Sequence, residues 1–365
     1  MPHFIEKIEQ HYHEPEQCAE AQGLVYCLEH TPGYLRKHWG RGFRYFDAQG
    51  NPVTENSHRE RLQRIAAPPA WKNVWLAPED NFHILAHGED DAGRKQYTYH
   101  PRWSHYRNRL KYYHLLTFAQ ALPALRRRAY QQLAPFNSRA DVTYPRVLAL
   151  MILLLDKGAL RIGSETYYEQ RETVGLTTLL PEHVQCEGSR IELCYLAKSG
   201  KQRCIQLRHK RLSQVLQSLL DLATEGEWLF RYFVKGEGHH VSRDQLNHTL
   251  KDLGKFPISA KDFRTWKGTL TAYEAMASAY QSGERLSLKT IAENVAKALG
   301  NTPAIAQQSY IHGDLLQIWQ TEAFGDYYKK VAPNSTRKNY FSRTEVELSQ
   351  MLELLFETEM SHSLK

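Results

Sequence analysis

Five residues in four short motifs are of types that together could break and remake a phosphodiester bond. In chain order they are Arg161, Lys198, Arg264, Asn301 and Tyr310. A side-chain nucleophile surrounded by cations can attack phosphorus while the cations stabilise the charge that develops on the phosphate oxygens. Each motif alone has an ordinary structural explanation, such as a cation at a helix C-terminus, a polar turn or a core tyrosine. Only the combination favours chemistry.

The chain offers no other recognisable route to catalysis on a charged substrate. It contains no GxxxxGK[ST] loop, no GxGxxG after a strand, no HExxH pair and no EF-hand loop. His239 and His240 are adjacent, which is a poor arrangement for binding one metal ion. We therefore expect no metal site, no nucleotide cofactor and no other required cofactor.

Cysteine number and hydropathy predict the cellular location. The number of cysteines is odd and none forms a CxxC pair, which predicts reduced thiols and neither a zinc site nor a disulfide framework. The longest apolar run, residues 147–155, is far shorter than the roughly 20 residues of a membrane span, and the first ten residues lack an apolar export segment. These features predict a cytoplasmic protein without a membrane segment. The cysteines are Cys18, Cys27, Cys186, Cys194 and Cys204.

The distribution of charge is more informative than the net charge of +7 over 365 residues. Residues 92–140 contain no Asp or Glu, and tyrosines are interleaved with their many arginines and lysines. A segment with only positive charges repels itself unless an anion lies against it. Cations neutralise phosphates, and tyrosines pack on sugars or reach base edges. The segment therefore predicts a nucleic-acid partner, with a basic surface helix and core tyrosines as the alternative.

The elements that must position these residues change in character along the chain. Short apolar runs broken by turn signals predict strands over residues 22–100, beginning with a run at residues 23–28. From about Leu110 onward, apolar residues recur at helical spacing. A β-hairpin interrupts the helices at residues 191–207, with Lys198 at its tip.

The two periodicities predict an α+β protein. We expect a small β-rich N-terminal domain joined to a larger, mainly α-helical domain that contains the hairpin, followed by an acidic amphipathic tail that packs back on the domain. The predicted boundaries are an extension at residues 1–22, a β-rich domain at 23–108, a helical domain at 109–343 and a helical tail at 344–365.

The four motifs that contain the reactive residues, taken in their order along the chain, resemble the active site of the type IB DNA topoisomerases, specifically the short poxvirus-like branch found in bacteria. The resemblance runs from about Gly23 to Tyr310. The set is highly specific in order, whereas any one tetrapeptide is not. The N-terminal signatures that carry it are Thr31-Pro32-Gly33-Tyr34, Gly42-Phe43-Arg44-Tyr45, Ile65-Ala66-Ala67-Pro68-Pro69-Ala70-Trp71 and Gly93-Arg94-Lys95-Gln96-Tyr97-Thr98-Tyr99-His100-Pro101.

The resemblance implies a role for each reactive residue. Tyr310 would attack a phosphodiester and form a 3′-phosphotyrosyl bond, with Arg161 and Arg264 on the non-bridging oxygens. Lys198 would protonate the departing 5′-oxygen. Asn301 stands where many relatives carry histidine, so it would stabilise the transition state without acting as an acid. Because the covalent link conserves the phosphodiester energy, religation would need neither ATP nor a metal, and supercoil strain would drive relaxation.

The resemblance also implies how DNA is bound. The catalytic domain would have the tyrosine recombinase/topoisomerase IB-like fold, and a monomer would close around duplex DNA as a C-shaped clamp. The segment with Gln96, Tyr97 and Tyr99 matches one that contacts the major groove in relatives, and strand alternation places the two tyrosines on the face opposite Gln96. The alternative is that both tyrosines fill the sheet core. Other predicted DNA-binding residues are Arg94, Lys95, Lys201 and Lys261.

Two departures from the family pattern and two rival interpretations remain. Ala197 replaces a common glycine before the hairpin lysine, and Gly313 stands where relatives often have proline, so local geometry is in question there. A tyrosine recombinase uses the same chemistry, but it typically has histidine three residues before the second arginine, where this chain has Lys261. A catalytically inactive DNA-binding protein is disfavoured because every reactive position is filled.

Overall fold

The chain divides into two compact units, Met1–His114 and Leu115–Lys365. The first carries an antiparallel sheet and the second is mainly helical, so helix and strand are mixed as the sequence predicts. The structure is a computed structural model, and the residues it describes are 10, 12–28, 30–198 and 200–363.

The first unit is built on a five-stranded antiparallel sheet. Its strands are β1 (Tyr34–Trp39), β2 (Gly42–Phe46), β3 (Lys72–Leu76), β4 (Ile84–Glu89) and β5 (Lys95–Tyr99), and its helices are α1 (Pro15–Glu20) and α2 (Asn56–Arg64). The strand order β2-β1-β3-β4-β5 makes β2 and β5 the edge strands. Val74, Leu76 and Ala86 pack in the core with Tyr45 and with Leu62 of α2. Alternating apolar residues therefore bury one face of the sheet.

Residues 23–28, which the sequence pattern predicts as a strand, do not form one. Val25 makes only an isolated bridge, with Phe82. The backbone N–H of Cys27 donates to Nδ1 of His83 at 2.8 Å instead of to a neighbouring strand. A side-chain acceptor thus takes the place of a sheet hydrogen bond, which a hydrophobic pattern does not reveal.

A single long helix, α3 (Pro101–Gln132), contains the division between the two units. It begins well before Leu110, so the predicted start of the helical region is wrong. Proline presets the backbone angle of a first helical turn. The residues between Pro101 and Leu110 are mostly basic, polar or aromatic, so the apolar repeat that marks a helix is missing there.

The second unit has helices around a central one. After α3 these are α4 (Tyr144–Gly158), α5 (Glu165–Arg171), α6 (Lys210–Leu220), α7 (Arg243–Gly254), α8 (Ala260–Ser282), α9 (Leu288–Leu299), α10 (Pro303–Tyr310), α11 (Gly313–Gln320), α12 (Phe324–Val331) and α13 (Arg343–Ser363). Helix α4 is buried along its apolar run, and α8 contacts α4, α7, α9, α10 and α13. Helix α8 is therefore the scaffold against which these five helices pack. In the described part of the chain, no helix has both the length and the apolar character to cross a bilayer.

The predicted β-hairpin is confirmed. The strands β6 (Val184–Glu187), β7 (Arg190–Ala197) and β8 (Lys201–Arg208) form an antiparallel sheet in the order β6-β7-β8, and β9 (Arg231–Val234) pairs with β10 (Glu237–His240). Ala197 lies opposite Lys201 where β7 turns into β8. Ile191, Leu193 and Tyr195 alternate along β7 and are buried. The hairpin is therefore anchored on one face.

Cys194 and Cys204 form a disulfide, so the prediction of five reduced thiols is wrong for this pair. The two residues lie opposite each other in the register of β7 and β8, with 4.2 Å between their Cα atoms. Counting cysteines cannot detect such a pair, because cross-strand neighbours become adjacent only when the hairpin forms. Cys18, Cys27 and Cys186 are free thiols.

The acid-free segment at residues 92–140 finds part of its negative charge inside the protein. Arg126 of α3 is buried and pairs with Asp156 of α4 at 2.6 Å and with Glu345 of α13 at 2.7 Å. Arg128 donates to the carbonyl of Leu253 at 3.1 Å. The expectation of an external anion along this whole segment is therefore wrong for Arg126, whose carboxylate partners come from distant parts of the chain. The ion pair between Arg126 and Glu345 also fastens the C-terminal helix α13 to α3.

Candidate active site at the end of helix α9

Arg161 lies in the loop after α4, and close backbone packing fixes that loop. Its carbonyl accepts a hydrogen bond from the N–H of Leu176 at 2.8 Å. Gly163 and Gly175 approach so closely that a Cβ on Gly175 would lie 2.4 Å from the Cα of Gly163. Gly163 also has a φ of 92°, which glycine adopts without strain. The glycines of this motif therefore determine where the Arg161 side chain begins.

Arg264 lies on the inward face of α8 and is 3% exposed. Its guanidinium donates to the carbonyl of Ala159, at the end of α4, and to the carbonyl of Leu299, at the end of α9. Its Nε is buried and has no acceptor within the described residues. Three helices thus converge on this side chain, and one of its donors remains available to a bound anion.

The C-terminal end of α9 supplies acceptors for both arginines. Arg161 donates to the carbonyl of Gly300 at 3.3 Å, and Arg264 donates to that of Leu299 at 3.1 Å. Both guanidiniums also donate to Oδ1 of Asn301. The last carbonyls of a helix lack intrahelical partners and carry partial negative charge, which suits cations. Because Oδ1 accepts these bonds, Nδ2 is the donor of Asn301, and it is buried without an acceptor in the described chain.

Tyr310 is the last residue of α10, whose N-terminus is capped by the Thr302 hydroxyl. Gly268 of α8 allows it to come close, since a Cβ there would lie 2.6 Å from the carbonyl oxygen of Tyr310 and 2.9 Å from its Cβ. The Thr269 hydroxyl donates to the same carbonyl at 3.2 Å. The guanidinium carbon of Arg264 lies 5.1 Å from the centre of the Tyr310 ring. Helix α8 therefore positions this tyrosine and Arg264 together.

The Tyr310 hydroxyl lies in a positive electrostatic field. Burial alone would raise its pKa, but the charges of Arg264, Arg161 and Lys261 bring the pKa below the ordinary tyrosine value. Burial and the charge of Arg264 in turn lower the pKa of Arg161. Besides burial, the groups that shift both pKa values are cations and tyrosines, with no carboxylate among them. Such a site favours the ionised form of a hydroxyl and attracts an anion.

The predicted lysines are all exposed. Lys198 lies in the turn after β7, and Lys201 begins β8. The contacts that join Arg161, Arg264, Asn301 and Tyr310 do not include Lys198. Lys261 lies in the first turn of α8, and its charge reaches Tyr310. The lysines with these positions are Lys95, Lys198, Lys201 and Lys261.

In the first unit, the predicted DNA-contact segment forms the edge strand β5. Tyr97 and Tyr99 are 40% and 42% exposed, and their rings stack with centroids 5.7 Å apart. The alternative that both fill the sheet core is therefore wrong. On the other face, Gln96 donates to Asp90 at 2.9 Å, and Arg94 pairs with the same carboxylate at 2.6 Å. Two of the predicted contacts are thus engaged by one aspartate.

Arg203 belongs to the cluster although none of the sequence motifs contains it. It lies on β8 and is 9% exposed, and its Nη2 donates to the carbonyl of Ala298 at 3.4 Å. A Cβ on Gly300 would lie 2.9 Å from its Nε. The sequence does hold a signal for this residue. Strand alternation places Arg203 on the same face as Ile205 and Leu207, so a cation stands where an apolar residue is expected.

Three guanidiniums, an amide and a tyrosine hydroxyl therefore meet at the end of one helix. Within the described ranges, no group of three or more His, Cys, Asp or Glu side chains is placed to hold a metal ion. Cations with unused donors around a hydroxyl form an anion-binding site with a nucleophile at its edge. The site thus defines the class of proteins that carry out phosphoryl transfer through a side chain.

Comparison with known proteins narrows this class. Residues 100–330 match the family described as eukaryotic DNA topoisomerase I, catalytic core, and residues 42–90 match the bacterial DNA topoisomerase IB N-terminal domain. The chain is 28% identical over 302 residues to the DNA topoisomerase 1B of Acanthamoeba polyphaga mimivirus, covering 79% of this chain and 88% of that protein. It is 25% identical over 295 residues to the DNA topoisomerase 1B of vaccinia virus (strain Copenhagen), covering 77% of this chain and 88% of that protein.

The chain also shows a weak similarity to a solved structure. It is the XerH site-specific recombinase bound to a palindromic difH substrate, with a TM-score of 0.35, 12% identity and coverage of 56% of this chain and 51% of that one.

The catalytic-core match spans well over half of the chain, so the chain belongs to the DNA topoisomerase I family, in its type IB branch. It is an isomerase that relaxes supercoiled DNA by the type IB reaction. The resemblance seen in the sequence motifs is confirmed.

Proposed function

We propose that Tyr310 is the nucleophile of this reaction and that Arg161 and Arg264 bind the phosphate it attacks. One observation supports this most strongly: both arginines donate to Asn301 beside Tyr310, and their charges lower the pKa of Tyr310. A lower pKa eases loss of the hydroxyl proton during attack. The planar guanidiniums neutralise the non-bridging oxygens as these gain charge.

The other two residues complete the cycle. Asn301 donates from Nδ2 to a phosphate oxygen, which an amide can do without exchanging a proton. Lys198 protonates the 5′-oxygen as it leaves, and the hairpin of β7 and β8 brings the lysine into the minor groove when DNA binds. The product is a 3′-phosphotyrosyl link. In the reverse step the 5′-hydroxyl attacks this link and releases Tyr310, so no nucleotide is consumed.

Duplex DNA is the substrate, and one copy of the chain holds it. In this proposal the two units close on the duplex as a C-shaped clamp. The exposed, stacked pair Tyr97 and Tyr99 supports contacts from β5 to a groove, while Gln96 reaches a base after leaving Asp90. Exposed cations contact phosphates and fix the register of the protein on the duplex. We place the enzyme in the cytoplasm, on the nucleoid. The cations are Arg94, Lys95, Lys201 and Lys261.

Relaxation of a supercoiled plasmid in EDTA without ATP tests the proposal. The wild-type chain should relax any plasmid and form a covalent adduct with a nicked oligonucleotide. Tyr310→Phe should do neither while its DNA affinity stays within a few-fold. Tyr327→Phe is a matched control, because Tyr327 lies on α12 and its hydroxyl contacts Thr358 on α13.

The possible outcomes separate the interpretations. An adduct formed by Tyr310→Phe would require another nucleophile. A requirement for paired sites would indicate a recombinase, and binding without any change in the plasmid would indicate an inactive DNA-binding protein. Sedimentation of the DNA complex tests the monomer, and a mass of two chains per duplex site would contradict it.

A further inference from the structure

Arg203 is the strongest feature of the site that the proposed chemistry does not use. Its guanidinium is buried, yet among the described residues it has only one hydrogen bond, a long one of 3.4 Å from Nη2 to the carbonyl of Ala298. Its Nη1 is buried without an acceptor in the part of the chain that the structure describes. Burying a charged donor without a partner is costly, so the position indicates a partner from outside the chain.

The charges around Arg203 indicate that this partner is an anion. Burial, and then the charges of Arg264 and Arg161, lower the pKa of Arg203 to about 10, while Tyr195 and Tyr310 act in the opposite direction. The main influences include no carboxylate. Like charges gathered in a buried place destabilise one another, and a bound phosphate would relieve this repulsion.

The backbone places the three arginines side by side. Arg203 donates to the carbonyl of Ala298, Arg264 to that of Leu299 and Arg161 to that of Gly300. Three consecutive carbonyls at one helix end thus each hold a different guanidinium. Gly300 contributes by its lack of a side chain, since a Cβ there would lie 2.9 Å from Nε of Arg203.

We propose that Arg203 is a third phosphate-binding arginine of the active site, donating from Nη1 to the scissile phosphate that Arg161 and Arg264 hold. This rests on the roles proposed above for Tyr310 and those two arginines. Because Arg203 lies on the strand that follows the Lys198 turn, it also links the position of the hairpin to the occupied phosphate site.

Single-turnover cleavage of two oligonucleotide duplexes tests the proposal. One carries a natural phosphate at the cleavage site mapped with the wild-type chain, and the other carries an uncharged methylphosphonate there. On the natural phosphate, Arg203→Ala should cleave slower by about 10²-fold, as on removing a preorganised donor. On the methylphosphonate, the ratio of the wild-type cleavage rate to the variant cleavage rate should be at least tenfold smaller, because the phosphate charge that Arg203 meets is absent.

Arg208→Ala is the matched control, since Arg208 lies on the same strand but is exposed. It should cleave both duplexes at the wild-type rate. Arg203→Lys provides a second variant that keeps the charge, and thermal melting of each variant shows whether it is folded. An equal loss by Arg203→Ala on both duplexes, or a loss below threefold on the natural one, overturns the proposal. A wild-type chain that forms no adduct would instead overturn the proposed function itself.

Discussion

The second unit contains two clusters built on buried arginines, and they are opposite in electrostatic design. Arg126 lies between two carboxylates, Asp156 at 2.6 Å and Glu345 at 2.7 Å. Burial would lower the pKa of Arg126, but these carboxylates raise it above the ordinary value. In the other cluster, Arg161 and Arg264 share a helix end and Asn301, and burial and cation–cation repulsion lower the pKa of Arg161.

The difference shows how one residue type serves two purposes. An arginine that is saturated by the protein's own anions holds helices together, because removal of either partner leaves an uncompensated buried charge. An arginine whose acceptors are only neutral carbonyls and an amide keeps its charge available for a ligand. The first cluster should therefore determine stability, and the second should determine chemistry.

The largest effect on activity is expected at Arg264. Arg264→Lys retains a positive charge but loses the fork that contacts several acceptors at once. Cleavage of a nicked oligonucleotide should slow by about 10²–10³-fold, in line with the removal of a preorganised donor. Arg243→Lys, at an exposed position on α7, is the control and should cleave normally. If Arg264→Lys cleaved within threefold of the wild type, the cluster would be structural and the contrast with Arg126 would disappear.

At Arg126 we expect the reverse pattern. Arg126→Met leaves Glu345 buried without its cation and Asp156 with Lys157 alone. This should lower the unfolding free energy by about 3–5 kcal/mol at neutral pH. The cleavage rate per folded molecule should change little. Denaturant unfolding followed by circular dichroism measures the first quantity, and adduct formation at low temperature measures the second. A large loss of cleavage in the folded variant would contradict the assignment of this cluster to stability.

The two carboxylates that pair with Arg126 predict how the stability of the protein depends on pH. Burial raises the pKa of Asp156 and Glu345, but Arg126, helped by Lys157 at Asp156 and by Ser342 at Glu345, outweighs it and the folded-state pKa of each is lowered. The resulting stability is present above the unfolded carboxylate values near pH 4 and is lost as pH falls through the folded values. The difference in stability between wild type and Arg126→Met should therefore narrow below about pH 4. A constant difference across that range would show that the charges do not cause it.

Gly268 tests whether the position of Tyr310 depends on close packing with α8. A Cβ at residue 268 would lie 2.6 Å from the carbonyl oxygen of Tyr310, so Gly268→Ala must displace the tyrosine or the helix. A displacement of about 1 Å can cost on the order of 10²-fold in rate. Gly313→Ala is the control, because a Cβ at that position meets nothing within 4 Å. Equal cleavage rates for the two variants would show that the position of Tyr310 does not depend on close packing against α8.

The sequence motifs indicated which residues lie together in this candidate site, because the chemistry proposed for it requires particular residue types. Tyr310, Arg161, Arg264 and Asn301 are indeed neighbours, and their order in the chain carried the resemblance. The hairpin followed from alternation, which depends only on local pattern.

The parts that could not be predicted depend on contacts distant in sequence. The carbonyls that hold the arginines belong to backbone, so no residue type marks them. The pairing of Arg126 with Glu345 joins residues more than 200 positions apart, so an acid-free segment looked uniformly available for DNA. Residues 1–22 carried no prediction beyond an extension, and part of that stretch lies outside the described residues.

The disulfide provides a smaller test on the hairpin that carries Lys198. Thiol titration of the denatured, unreduced protein should give three free thiols, and reduction should give five. A covalent tie between β7 and β8 restricts the hairpin, so Cys204→Ser should slow cleavage only a few-fold. Cys186→Ser, outside the disulfide, should leave the rate unchanged. Five thiols titrating before reduction would show that the pair is not oxidised in the purified protein.

The smallest expected effect extends the contrast between paired and available cations to the first unit. The sequence assigns both Arg94 and Lys95 to DNA, but Arg94 already pairs with Asp90 at 2.6 Å, and that contact holds the pKa of Asp90 far below its usual range. Asp90 thus stays ionised and competes with phosphate.

The slope of log affinity against log salt counts the phosphates neutralised, so Lys95→Ala should reduce it by about one unit. Arg94→Ala should reduce it by clearly less, and Asp90→Asn, which removes the carboxylate paired with Arg94, should increase it. Filter binding of a long duplex over a salt series measures all three. Equal reductions for Arg94→Ala and Lys95→Ala would mean that DNA displaces Asp90, so that pairing within the free protein does not decide which cations of β5 and its preceding turn bind phosphate.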